Sequence, residues 1–143
     1  MPEARFWRES QVRYNMIGRR CGACGRVYFP PREICPKCRR ASMGKMEKVK
    51  LSGKGAVVSW TDVHEGLPDF QMQIPYTMAI IELDEGARIT GQIVDSHEGD
   101  VRIGSRVEAV FRKLGEEGKS GIIYYGYKFR LTGTGKPKTR SRR

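Results

Sequence analysis

Every cysteine of this 143-residue chain lies in one short stretch, RRCGACGRVYFPPREICPKCRR (19–40), where Cys21-x2-Cys24 and Cys35-x2-Cys38 stand ten residues apart. A Cys-x2-Cys turn presents two sulfurs from one tight loop, and the intervening hairpin folds the second pair over the first. Four thiolates converging in this way make a tetrahedral site for a divalent ion, with metal–sulfur bonds of about 2.3 Å. Gly22 and Gly25 let the first turn aim its amides at sulfur, and Pro36 stiffens the second. With all four positions filled by protein, no place is left for water or substrate, so the site is expected to be structural rather than catalytic. A knob of about 25 residues has almost no core, so metal binding would supply its folding free energy.

Zinc is the expected occupant, and iron is the alternative because both turns resemble rubredoxin knuckles. The ten-residue gap, much shorter than rubredoxin's, and the basic surroundings favour zinc. In a reducing cytosol two matched Cys-x2-Cys pairs point to a metal rather than to disulfides or a redox dithiol. Other reactive groups are sparse. His64 and His97 each adjoin an acid, Glu65 and Glu98, in charged, loop-like contexts that suit solvated side chains. The sequence holds no Gly-x-Ser-x-Gly, P-loop or dinucleotide fingerprint, and nothing supplies a nucleophile with a base and an orienter. The chain is therefore expected not to be an enzyme.

The formal charge of +11 is unevenly spread. Residues 1–50 carry 13 Arg/Lys against 4 Glu, residues 51–135 carry 9 against 12 Asp/Glu, and residues 136–143 carry 5 with no acid. The body is mildly acidic, so an anionic partner should meet the knob and the tail. Part of the knob's excess has a structural explanation: four thiolates on a divalent ion leave about −2, which nearby cations offset.

The elements that must carry the knob can be read from pattern. EARFWRESQVRYN, free of Gly and Pro, predicts a short N-terminal helix with Trp7 and Tyr14 on one face, packed on the knob or body. RASMGKMEKVKLSGKG (40–55) reads as a linker into the body. Five stretches rich in β-branched and aromatic residues follow: AVVSWTDVH, YTMAIIEL, RITGQIVD, RVEAVFRKL and GIIYYGYKFRL. Asp84-Glu85-Gly86 reads as a hairpin turn with Gly86 at the positive-φ position. The expected fold is mainly β, with a helix (1–16), a rubredoxin-like zinc ribbon (17–42), a five-stranded OB-fold barrel (43–132) and a basic tail (133–143). The strand count alone would also suit an SH3-like barrel. No apolar run approaches a membrane span and no signal peptide opens the chain, so a cytoplasmic, soluble protein is expected.

Nucleic acid is the default ligand of a ribbon joined to an OB barrel. Such barrels bind single strands with aromatics and cations on the second and third strands. Here those strands offer Tyr76 and Arg88 amid Glu82, Asp84, Glu85 and Asp95, a poor surface for a polyanion.

The order of helix, GRRCGACGRVYFPPREICPKC, IIELDEGARITGQIVD and VRIGSRVEAVF resembles the DUF35 family across about residues 3–131. The resemblance implies a zinc ribbon on an OB-fold, acting as a non-catalytic partner of thiolase-superfamily enzymes. In archaea it implies an adaptor between acetoacetyl-CoA thiolase and hydroxymethylglutaryl-CoA synthase in the mevalonate pathway, and assistance in acyl-CoA binding or transfer. CoA carries a pyrophosphate and a 3′-phosphate, which suit arginine forks. Arg19, Arg20, Arg26, Arg32, Lys37, Arg39 and Arg40 are accordingly the candidate contacts to a partner or to CoA. The tail TGKPKTRSRR is not required by the resemblance. A nucleic-acid-binding ribbon and barrel remains the alternative reading.

Overall fold

The computed structural model describes residues 7–97, 99–118 and 120–133. Residues 1–6 of the expected helix and nearly all of the basic tail lie outside the described residues. Helix α1 (Ser10–Asn15) ends at Met16, which takes a left-handed φ of 50° and donates its N–H to the Val12 carbonyl. Val12 and Met16, four residues apart, carry the helix onto the core. Tyr14 lies roughly opposite that stripe, and Trp7 stands before this helix. Tyr14 still finds the edge of Phe111, with ring centroids 5.1 Å apart, but Trp7 is 81% exposed and does not pack as expected.

Strands β1 (Ile17–Cys21), β2 (Val27–Tyr28) and β3 (Met46–Lys50) form an antiparallel sheet in the order β2-β1-β3. Residues 40–55, expected to be a linker, therefore hold the ribbon's third strand. Its sequence, MEKVK, hides the signal because only Met46 is buried, and charged side chains are what an exposed sheet edge favours.

The body is a closed barrel of β4 (Lys54–Val63), β5 (Tyr76–Leu83), β6 (Arg88–Val94), β7 (Arg106–Glu116) and β8 (Ile123–Leu131), in the order β4-β5-β6-β8-β7. Closure runs through the pairing of β4 residues 54–56 with β7, and only the β6–β8 join is parallel. This is the OB-fold, with all five strands where composition placed them. Thr77, Ala79, Ile81 and Leu83 alternate inward along β5, as a half-buried strand requires. At the β5–β6 hairpin Gly86 takes φ 84° while the Leu83 N–H donates to the Ala87 carbonyl at 2.8 Å. Gly91 on β6 makes room for the Phe129 ring: a Cβ there would sit 2.6 Å from Phe129 Cδ2.

One core spans both parts. Met16, Phe29 and Leu51 join Val57, Ile81, Leu83 and Phe129, and the Phe29 ring meets Tyr127 edge-on at 5.5 Å. Only Leu51, Ser52 and Gly53 separate β3 from β4, and the Leu51 N–H donates to the Met16 carbonyl at 3.0 Å. Among the described residues no helix is long and apolar enough to cross a membrane.

Candidate metal centre and cationic surface

The sulfurs of Cys21, Cys24, Cys35 and Cys38 all lie within 4.8 Å of one another, and Cys24 Sγ stands 3.6 Å from Cys35 Sγ. Sulfurs at the corners of a tetrahedron with ~2.3 Å bonds stand ~3.8 Å apart, so the cluster matches a zinc site in donor type and spacing. Cys21 and Cys35 are fully buried. The four cysteines suit a bound zinc ion, as the spacing predicts.

Both turns are built alike. Gly25 N–H donates to the Cys21 carbonyl and Arg39 N–H to the Cys35 carbonyl, each at 2.8 Å. In both, the residue after the second cysteine turns left-handed, Gly25 at φ 72° and Arg39 at φ 48°. Glycine takes that conformation freely, whereas arginine does so at a cost of roughly 1–2 kcal/mol. The sheet fixes the first turn further, through Cys21 N–H to the Arg26 carbonyl at 2.9 Å and Gly22 N–H to the Lys45 carbonyl at 2.8 Å.

Two residues of the site were not singled out by spacing. Ser42, fully buried, accepts the Cys35 N–H at 3.0 Å and donates to the Arg39 carbonyl at 2.6 Å, locking the second turn on itself. Tyr28 places its hydroxyl 3.2 Å from Cys35 Sγ. That hydrogen bond holds the Cys35 thiol down at about 6 and pushes Tyr28's own ionisation up. Cys38 is pushed up to about 12, first by its hydrogen bond with Cys24 and then by burial. Crowded thiols behave this way: Cys35 ionises readily, and Cys38 needs a cation nearby to share the charge. A tyrosine in the hairpin between the cysteine pairs and a serine just beyond them were the only available signals.

The seven candidate cations separate into three groups. Arg19 is engaged within the ribbon, donating to Glu33 at 2.8 Å and to the Met46 carbonyl at 3.0 Å. Arg26 and Arg32 line a groove of about 420 Å³ between the ribbon and the β5–β6 hairpin, together with Tyr28, Glu85 and Arg88. Arg20 is exposed on β1, while Lys37, Arg39 and Arg40 are exposed around the second cysteine turn. The barrel's cations are mostly paired. Arg88 meets Glu82 at 2.7 Å, Arg106 meets Asp84 at 2.8 Å, Arg112 meets Asp95 at 2.8 Å and Arg130 meets Glu108 at 2.7 Å. Phe111 and Tyr125 stack on one another with centroids 5.3 Å apart.

Residues 13–44 match the family described as the rubredoxin-like zinc ribbon domain of ChsH2, and residues 48–112 match its C-terminal OB-fold domain. A DUF35 domain-containing scaffold protein of Methanocaldococcus jannaschii is 59% identical over 88% of each chain. The chain belongs to the DUF35 family. The DUF35 chain is also 32% identical to the benzoylsuccinyl-CoA thiolase subunit BbsA of Thauera aromatica, over 79% of this chain and 74% of that one. A solved structure titled Ltp2-ChsH2(DUF35) aldolase superposes with a TM-score of 0.68 at 28% identity, covering 88% of this chain and 90% of that one.

Proposed function

We propose that this DUF35 chain is a cytoplasmic, non-catalytic adaptor that bridges acyl-CoA enzymes of the thiolase superfamily. The pair proposed is acetoacetyl-CoA thiolase and the hydroxymethylglutaryl-CoA synthase that consumes its product in the mevalonate pathway. The observation that carries this reading is the 59% identity to a protein named a scaffold. The thiolase-subunit name of a second relative and the aldolase title of the structural neighbour support it. The metal centre suits the role, because four cysteines fill every position around the ion and leave it a fold-holding part. Condensation of two acetyl-CoA molecules is uphill, so holding thiolase beside synthase favours flux without any catalytic group in the adaptor. The ribbon arginines are proposed to meet the partner or the phosphates of CoA. Pairing of the barrel's cations with acids argues against the nucleic-acid alternative on that surface.

The test is an affinity pull-down of the tagged chain from its own cell extract, treated with nuclease and read by mass spectrometry and metal analysis. A stoichiometric thiolase-superfamily enzyme recovered with zinc supports the adaptor. Ribosomal or nucleoid components present before nuclease, with nothing left after it, refute it.

A further inference from the structure

We infer that the end of the ribbon around the second cysteine turn is a docking face for an acidic protein surface containing an apolar socket. This rests on the adaptor reading and assigns the socket to the acyl-CoA enzyme. Two exposed apolar side chains mark the face, Ile34 at 50% and Met43 at 62% exposure. They are chain neighbours of Cys35 and Ser42, which the 3.0 Å hydrogen bond from Cys35 N–H to Ser42 Oγ joins, so both stand at the same end of the ribbon.

The charge around them is of one sign. Between Ile34 and Met46 the chain has Lys37, Arg39, Arg40 and Lys45, all exposed, and no acid. Among the described residues none of these four is in an ion pair. Four thiolates on a divalent ion leave about −2, so four cations exceed what the metal centre needs. Arg39 adds a second sign of purpose. It keeps a side chain at a left-handed position that its counterpart in the first turn fills with glycine.

The combination selects the kind of partner. Ile34 and Met43 offer no aromatic platform on which a base could stack, which disfavours single-stranded nucleic acid. Methionine and arginine are enriched where proteins meet. A second copy presenting the same end would set cations against cations, so an acidic surface of a different protein fits better.

The test uses the zinc-loaded full chain and the purified acetoacetyl-CoA thiolase of the same organism, with affinity measured at low and raised salt. Two tip variants, Ile34→Ser/Met43→Ser and Lys37→Glu/Arg40→Glu, are each expected to weaken binding by about tenfold or more. The charge variant should also lose most of the salt dependence shown by the parent chain. A control on the barrel's β6–β7 loop, Arg102→Glu/Ile103→Ser, where Ile103 is 74% exposed, should bind like the parent. Retention of one zinc per chain shows that each ribbon still folds. Thiolase binding that is insensitive to both tip variants overturns the docking face and leaves the adaptor reading standing. Absence of any complex with the parent chain removes both. Tip variants that lose affinity for a fluorescent single-stranded oligonucleotide while keeping the enzyme would assign the face to nucleic acid and overturn the inference.

Discussion

Replacing Ser42 with alanine tests whether the second cysteine turn is held by one hydroxyl. Ser42 is fully buried and satisfies two backbone groups, the Cys35 N–H at 3.0 Å and the Arg39 carbonyl at 2.6 Å. Alanine fills nearly the same space but leaves the buried Cys35 N–H unpaired and removes the part-buried bond to the Arg39 carbonyl. A stranded buried donor costs roughly 1–3 kcal/mol and a lost, partly exposed hydrogen bond about 0.5–1 kcal/mol, so the two together cost about 2–3 kcal/mol. If the ribbon takes its order from the metal, this cost appears as weaker zinc binding. At about 1.4 kcal/mol per factor of ten, the loss is roughly 30- to 150-fold. Competition against a chromophoric zinc chelator at neutral pH measures it directly. Ser52→Ala is the control, since the Ser52 hydroxyl accepts only an exposed Lys54 N–H at 3.2 Å. Zinc affinity in Ser42→Ala within about threefold of the parent would refute the claim that these two hydrogen bonds hold the turn.

Tyr28→Phe removes the hydroxyl 3.2 Å from Cys35 Sγ and should weaken zinc binding by about tenfold in the same competition assay, as loss of an outer-shell partner does. Cys35→Ser/Cys38→Ser should abolish zinc in metal analysis and lower the melting temperature of the whole chain, because Phe29 of the ribbon sits in the barrel's core. Gly91→Ala should cost about 1–3 kcal/mol in denaturant unfolding, since the new methyl meets the fully buried Phe129 ring; Phe129→Leu in the same chain should recover part of it. Asp84 is held below its ordinary value of 3.8 by its hydrogen bonds to Arg106. Its stabilising contribution is therefore present above that value and lost as pH falls through the lower folded one, so Asp84→Asn should flatten the acid limb of a stability–pH curve.

The barrel was legible in the sequence because its strands are strongly patterned and punctuated by glycines whose conformations the turns need, Gly86 and Gly104 at φ 84° and 87°. The clustering of the four cysteines was legible because thiolate chemistry constrains spacing tightly. Ser42 and Tyr28 were not, because a hydrogen bond to a turn or to a sulfur leaves no periodic trace. Strand β3 escaped notice for a different reason: an edge strand with one buried residue shows no alternation. The packing expected of Trp7 was not legible because the helix that reaches the core begins only at Ser10, after a turn at Glu9, and meets it through Val12 and Met16.

The three-residue joint from Leu51 to Gly53, seated between ribbon and barrel, bears on how such a chain could organise others. Modules on a loose tether raise one another's local concentration by an amount that depends on tether length, and leave their mutual angle free. Here the angle is set by interlocked side chains, Met16, Phe29 and Leu51 against the barrel interior. Enzymes gripped at the two ends would be indexed like parts clamped to a carpenter's square, sharing a fixed bearing as well as a neighbourhood. Undoing that interlock while keeping the joint would keep the neighbourhood and lose the bearing.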